Sequence, residues 1–360
     1  MLRLEPRREP SQAMRAFAPV LAIALTLVAG FVLFTLMGYN GGLAIEEMML
    51  APVLETHRWP DLLVKAAPLI LIATGLSIGF RANVWNIGAE GQYVMGAIAG
   101  SGVALATWEM SGVWILPAML IAGVLGGMFW AAIPALLRVR WRVSEILTSL
   151  MLTYVAIQFL YYLVRGPWKD PQGFNFPQTR MFNDSQTLPT MMEGSLIHLG
   201  IPIALIVALA AWIVMERTLF GYGVRVVGLA PAAARHAAFS ENGTIWSCLL
   251  IGGGLAGLAG VLEAAGPFGQ LVPQFPTNYG FTAIIVAFLG RLHPLGVVIG
   301  AIVLAITYVG GELAQTKAGL PQAAAGVFQA MLLFFLLAVD VLVRYRIRLA
   351  GRVRAKGGAA

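Results

Sequence analysis

Ala16–Met37 runs for 22 residues without a charged side chain, and a helix that crosses a bilayer needs about 20. Comparable apolar runs cover 63–80, 92–108, 114–137, 146–164, 198–215, 243–264, 281–290, 294–311 and 325–343. They are too long and too frequent for the core of a soluble domain. The expected fold class is therefore all-α: a polytopic transmembrane helical bundle of about ten spans. The run 281–290 is too short to cross alone, so it either borrows residues before Phe281 or forms a half-helix.

Composition agrees. Only 11% of the residues are charged, against about 25% in soluble proteins, and 59% are hydrophobic. The 41 glycines suit close helix packing in lipid. Within the apolar runs five pairs have GxxxG spacing: Gly75–Gly79, Gly96–Gly100, Gly123–Gly127, Gly253–Gly257 and Gly296–Gly300.

The net charge of +7 does not point to nucleic acid, because Lys and Arg gather at the ends of apolar runs. One basic group precedes Ala16, and another holds Arg138, Arg140 and Arg142. A third holds Arg217, Arg225 and Arg235, and the last follows Val343. With ten spans all four fall on the cytoplasmic side, which places both termini there. Arg3, Arg7, Arg8 and Arg15 lead into the first run without a convincing cleavage site, so that run reads as a helix rather than a signal peptide. Residues 1–15 are then a basic cytoplasmic arm, 16–343 one transmembrane domain and 344–360 a basic tail.

Two outer segments stand out. Residues 38–62 carry Glu46, Glu47, Glu55 and Asp61, and 165–197 is a long polar loop rich in Pro, Asn and Gln. The long loop either packs at the membrane surface to meet an external partner or is a solvated connector.

Phe80–Gln92 places Arg81, Asn83, Asn86, Glu90 and Gln92 between two apolar runs, with Gly88 and Gly91 interrupting helix around Glu90. It reads equally as a cytoplasmic loop or as a break that enters the membrane. Non-helical backbone at that depth must be buried in protein or line a water-filled cavity. Glu263 and Glu145 close and open apolar runs, and headgroup level is the expected place for both. Residues 216–242 contain Pro231 at a first-turn position followed by Ala232–Ala234. This is a short helix that either docks a soluble partner or lies on the membrane surface.

Catalytic signatures are missing. There is no G-x-x-x-x-G-K-[ST] loop or HExxH, the four histidines are scattered, and the single cysteine, Cys248, reads as core. No metal site is expected.

Three segments together resemble the permease subunits of bacterial ABC importers in the branched-chain amino acid, ribose and nucleoside group. They are FRANVWNIGAEGQYVMGAIAG at 80–100, RVVGLAPAAARHAAFSENGTIWSCLLIGGGLAGLAGVLEAAG at 225–266, and YGFTAIIVAFLGRLHPLGVVIGAIVLA at 279–305. VSEILTSLMLTY at 143–154 is a weaker echo, and the NIGAEGQ core is most similar to the nucleoside and simple-sugar branch. The resemblance implies a multi-pass subunit of the bacterial cytoplasmic (inner) membrane. Its implied partners are a second, non-identical permease, an ATP-binding subunit with both ATPase domains fused, and an external substrate-binding protein. ATP and Mg would be bound by the ATPase subunits, with no cofactor in this chain. The coupling segment maps onto 225–239, with Arg225, Gly228, Pro231 and Arg235 at matching positions. Asn83, Asn86, Glu90 and Gln92 become candidates for the pathway wall. The implied function is ATP-driven import of nucleosides, with ribose-like sugars as the alternative. The rival of another class is an ion-gradient-driven secondary transporter, which also uses Gly-broken helices. A channel would show a ring of pore charges, and none is evident.

Overall fold

The computed structural model describes residues 2–6, 12–191 and 195–349. The chain starts with β1 (Leu2–Pro6), α1 (Gln12–Leu36), α2 (Gly41–Ile45) and α3 (Ala51–Leu54), with a π-helical turn at Glu46–Leu50. Next come α4 (Trp59–Arg81), α5 (Ala89–Ala106), α6 (Ile115–Trp141) and α7 (Glu145–Arg165). A long segment leads to α8 (Gly200–Arg217), α9 (Leu219–Leu229), α10 (Pro231–His236) and α11 (Glu241–Glu263). A second π-helical turn, Ala264–Phe268, precedes α12 (Tyr279–Leu289), α13 (Pro294–Ala318), α14 (Ala323–Arg344) and β2 (Tyr345–Leu349).

Among the described residues, eight helices are long and apolar enough to cross a membrane: α1, α4, α6, α7, α8, α11, α13 and α14. The other two apolar runs of the sequence fall on α5 and α12. Each of these helices is preceded by non-helical chain, 82–88 before α5 and 269–278 before α12. At 11 residues, α12 spans only about 16 Å of a bilayer core about 30 Å thick, so it is a half-helix.

The chain divides into two compact units, one formed by residues 1–50 with 311–360 and the other by residues 51–310. In the first, Gly30 of α1 abuts the Phe328 ring of α14, and Phe34, Ala44, Met48, Ala314, Leu320, Ala324 and Phe328 form the core. Lys317 Nζ meets Glu47 Oε2 at 3.0 Å. The basic arm and tail of the sequence are not wholly without structure: β1 and β2 pair antiparallel, Leu2 opposite Leu349. This ribbon is the described departure from an all-helical chain.

In the second unit α4 and α11 are interior. Buried residues make up 89% and 67% of their apolar windows, against 28% in each of α6, α7 and α8. Glycine makes this possible. A Cβ on Gly257 of α11 would strike the backbone of α6 at Gly123 and Gly127, and one on Gly96 of α5 would strike Gly257 itself. Gly75 of α4 approaches Gly252 in the same way. The GxxxG spacing thus marks real backbone-to-backbone contact around α11. The outer faces of α6, α7 and α8 present Ile121, Leu125, Phe129, Met151, Val155 and Ile206, as lipid-facing helices should.

Candidate functional site

The polar break between α4 and α5 enters the protein, and α7 measures how far. At the first residue of α7, the Glu145 carboxylate pairs with Arg138 and accepts the Trp85 N–H at 3.2 Å. One turn on, Ser149 Oγ accepts the Ile87 N–H at 3.2 Å, and Gly88 lies against the Ser149 backbone. Two turns on, Gly91 rests on Thr153. Ser149 and Thr153 lie about 6 and 12 Å along α7 from Glu145, so the first turn of α5 lies inside the bundle.

The side chains of the break satisfy one another. Asn86 Nδ2 donates to Gln92 Oε1 at 2.8 Å, Gln92 Nε2 returns a bond to Asn86 Oδ1 at 3.1 Å, and the same Oδ1 accepts the Gly88 N–H at 3.2 Å. Asn86, Glu90 and Gln92 are all buried. Asn83 is exposed, has a left-handed backbone and accepts a bond from Trp85 Nε1 at 2.9 Å. The structure therefore brings three of the four expected pathway residues together in the interior and leaves Asn83 apart.

Glu90 reaches the other interrupted crossing. Its carboxylate accepts the Asn278 N–H at 2.9 Å and the Gly280 N–H at 2.6 Å. These are N-terminal amides of α12, which have no acceptor within their own helix. A Cβ on Gly280 would overlap the Glu90 backbone, so the N-termini of α5 and α12 touch. Each N-terminus carries roughly half a positive charge, and the carboxylate sits between the two. Measured along α12, this junction is about 16 Å from Leu289, in accord with the distance along α7.

The chain that feeds α12 was not singled out by the sequence. Residues 269–278 read GQLVPQFPTN, which resembles an ordinary loop. Its upper part is tied to the long segment 165–197. Thr179 N–H donates to Leu271 O at 3.0 Å, Leu271 N–H to Thr179 Oγ1 at 2.9 Å, and Phe182 N–H to Gly269 O at 2.8 Å. Gln186 Nε2 in turn donates to Ala104 O at the end of α5, at 2.8 Å. Residues 179–186 of the long segment are thus packed onto the bundle. Lower down, Tyr308 Oη of α13 donates to Thr277 O at 3.2 Å and shares a hydrogen bond with Thr282 Oγ1 at 2.9 Å. Buried rings line this region: Tyr93 stacks on Phe275 at 5.1 Å and meets Tyr279 edge-on at 6.1 Å.

Glu263, the last residue of the 23-residue α11, is 3% exposed, beside the same cluster and within electrostatic range of Tyr93 and Lys65. The last turn of α11 is covered by protein on all sides, which the local sequence alone does not reveal. Glu145 is 8% exposed but paired with Arg138 at the basic end of α6.

At that same basic end, Glu216 bridges two arginines. Arg81 Nη1 meets Glu216 Oε1 at 3.1 Å and Arg225 Nη1 meets Glu216 Oε2 at 2.9 Å, which joins the ends of α4 and α8 to α9. Gly228 of α9 abuts the Arg81 carbonyl. Then α10 begins with Pro231 at its first turn, as its sequence requires, and leaves Leu229, Pro231, Ala232, Ala233, Arg235 and His236 exposed.

Residues 60–337 match the family described as the permease component of branched-chain amino acid transport systems. The chain belongs to that permease family. It is similar over nearly its whole length to permeases of known assignment. A glucose ABC transporter permease of Haloferax volcanii is 36% identical, with 97% of this chain and 94% of the relative aligned. A guanosine ABC transporter permease of Bacillus subtilis is 29% identical over 94% of this chain and 97% of its own. A nucleoside ABC transporter permease of Lactococcus lactis is 25% identical over 96% of each. This is accordingly a multi-pass ABC transporter permease, a transport subunit without an ATPase domain. Haloferax volcanii is an archaeon, so the family extends beyond the bacterial inner membrane.

Proposed function

We propose that this permease forms the translocation pathway of an ABC importer for nucleosides, paired with a second, non-identical permease. Separate ATPase subunits that bind ATP and Mg drive it, and an external binding protein feeds it. The observation that carries the transport reading is the meeting of the α5 and α12 N-termini deep in the bundle. Interrupted helices converging at mid-depth are how transport proteins place polar groups inside lipid. In this reading Asn86, Glu90 and Gln92 support the pathway from behind by holding the N-termini of α5 and α12, and Asn83 lies nearer its inner mouth.

The nucleoside assignment draws on the guanosine and nucleoside permeases among the relatives. Simple sugars are the second reading, favoured by the 36% identity to a glucose permease. The paired permease is favoured by Haloferax volcanii and Bacillus subtilis. Each has a further matching permease, 28% and 27% identical over 66% of this chain.

Alternating access then begins at the basic end, placed in the cytoplasm by its arginines. ATPase closure pushes α10 through Pro231 and Arg235. The movement passes through Arg225 and Gly228 of α9 to α4 by way of Arg81 and Glu216. Double replacement of Pro231 and Arg235 by Ala and Glu should at least halve solute-stimulated ATPase activity in an assembled complex. Unchanged stimulation rejects α10 as the coupling element. The function itself is tested by uptake into proteoliposomes of the assembled complex, with labelled guanosine competed by unlabelled glucose. Uptake by this chain alone without ATP would make it a secondary transporter, and preferential competition by glucose would select the sugar reading.

A further inference from the structure

The geometry points to residues 274–278, and Asn278 above all, as a water-facing wall of the transport path that touches the solute. This inference rests on the importer reading and specifies where its pathway runs.

The segment has three properties that together exclude a lipid-facing role. It is non-helical backbone, with Pro273 and Pro276 preventing continuous helix. It is deep, because its last residue donates its N–H to Glu90, which lies between Gly88 and Gly91, the residues resting on Ser149 and Thr153 about 6 and 12 Å along α7 from the Glu145 end. And its polar side chains point outward: Gln274 and Asn278 are exposed while Leu271, Phe275 and Tyr279 between and beside them are buried. Lipid cannot satisfy such backbone or such amides, so their surroundings are water or protein. The contrast with the first break is direct. Asn86 and Gln92 have the same chemistry and spend it on each other. Gln274 and Asn278 keep theirs for something outside the chain.

The backbone is also held, as a binding wall requires. Glu90 fixes the Asn278 and Gly280 amides, Tyr308 fixes the Thr277 carbonyl, and Asn278 adopts a left-handed conformation (φ 62°) that Asn tolerates better than most residues. An amide donates and accepts at once, which fits hydroxyls and base or ring heteroatoms of an uncharged solute.

Cysteine accessibility tests this, since the chain's one cysteine, Cys248, is buried and can be replaced by Ala. In that background Asn278→Cys, Gln274→Cys and the lipid-face control Ile206→Cys are each co-expressed with the partner subunits in membrane vesicles. They are then treated with a cationic, membrane-impermeant methanethiosulfonate. The expected result is modification of Asn278→Cys at least tenfold faster than Ile206→Cys, with uptake falling by more than half on modification. A rate equal to the control, or modification that leaves uptake intact, overturns the proposal. If Asn278→Cys fails to assemble, Gln274→Cys carries the same two outcomes. Failure of the importer reading looks different: the unmodified complex would take up no solute, while the modification rates would still decide accessibility.

Discussion

The two interrupted crossings are built from similar parts and used in opposite ways. At the first, Asn86 is buried and pairs with Gln92 of α5, and before α12, Gln274 and Asn278 are exposed. Glu90 joins the two, taking its position from the first and its hydrogen bonds from the second. The comparison teaches that a polar residue in a membrane helix bundle reports stability or function according to where its partners are. If so, damage to the first break should lower stability, and damage to the second should lower transport with the fold intact.

The largest effect belongs to Gly280→Val. A side chain there meets Glu90 backbone rather than a yielding side chain, so the folded chain should be lost, read as disappearance of the monodisperse peak in size-exclusion chromatography. Survival of a normal peak would mean the two N-termini are not in fixed contact. Glu90→Gln comes next. It keeps the shape but removes the charge between two helix N-termini and turns an NH2 toward amides that need an acceptor. A loss of about 2–3 kcal/mol is expected, seen as a lower melting temperature in detergent. Gln92→Ala leaves Asn86 Nδ2 without its acceptor in the interior and should cost about 1–3 kcal/mol by the same measurement. Asn278→Ala is the smallest in stability, about 1 kcal/mol, set by its left-handed backbone because its side chain is exposed. Its effect should appear instead as a severalfold change in the KM for uptake. A large melting shift for Asn278→Ala with unchanged KM would erase the distinction between the breaks.

Much of this was legible in the sequence. The apolar runs located the helices, the Gly88 and Gly91 interruptions located the first break, and Pro231 located the start of α10. The short run 281–290 correctly signalled an incomplete crossing. What local sequence could not supply was partnership. The acceptor for the α12 amides is a carboxylate 188 and 190 residues away, so nothing near Asn278 announces that its backbone is satisfied in the membrane. The second break escaped for the same reason: Pro, Gly and Asn mark irregular chain without marking depth. Glu263 lies at the end of an apolar run, and only its neighbours in the fold, Tyr93 and Lys65 among them, show that protein buries it. Glu216 looked like one charge among several until Arg81 and Arg225 converged on it.

The glycines around α11 bear on how such a machine moves. Where Gly96, Gly127 and Gly257 meet, backbone lies directly on backbone, with no side-chain rotamers between. Separation across such a joint would forfeit close dispersion contact along its length. It therefore resists being pried open, and a push delivered at one end would be carried by the packed helices together.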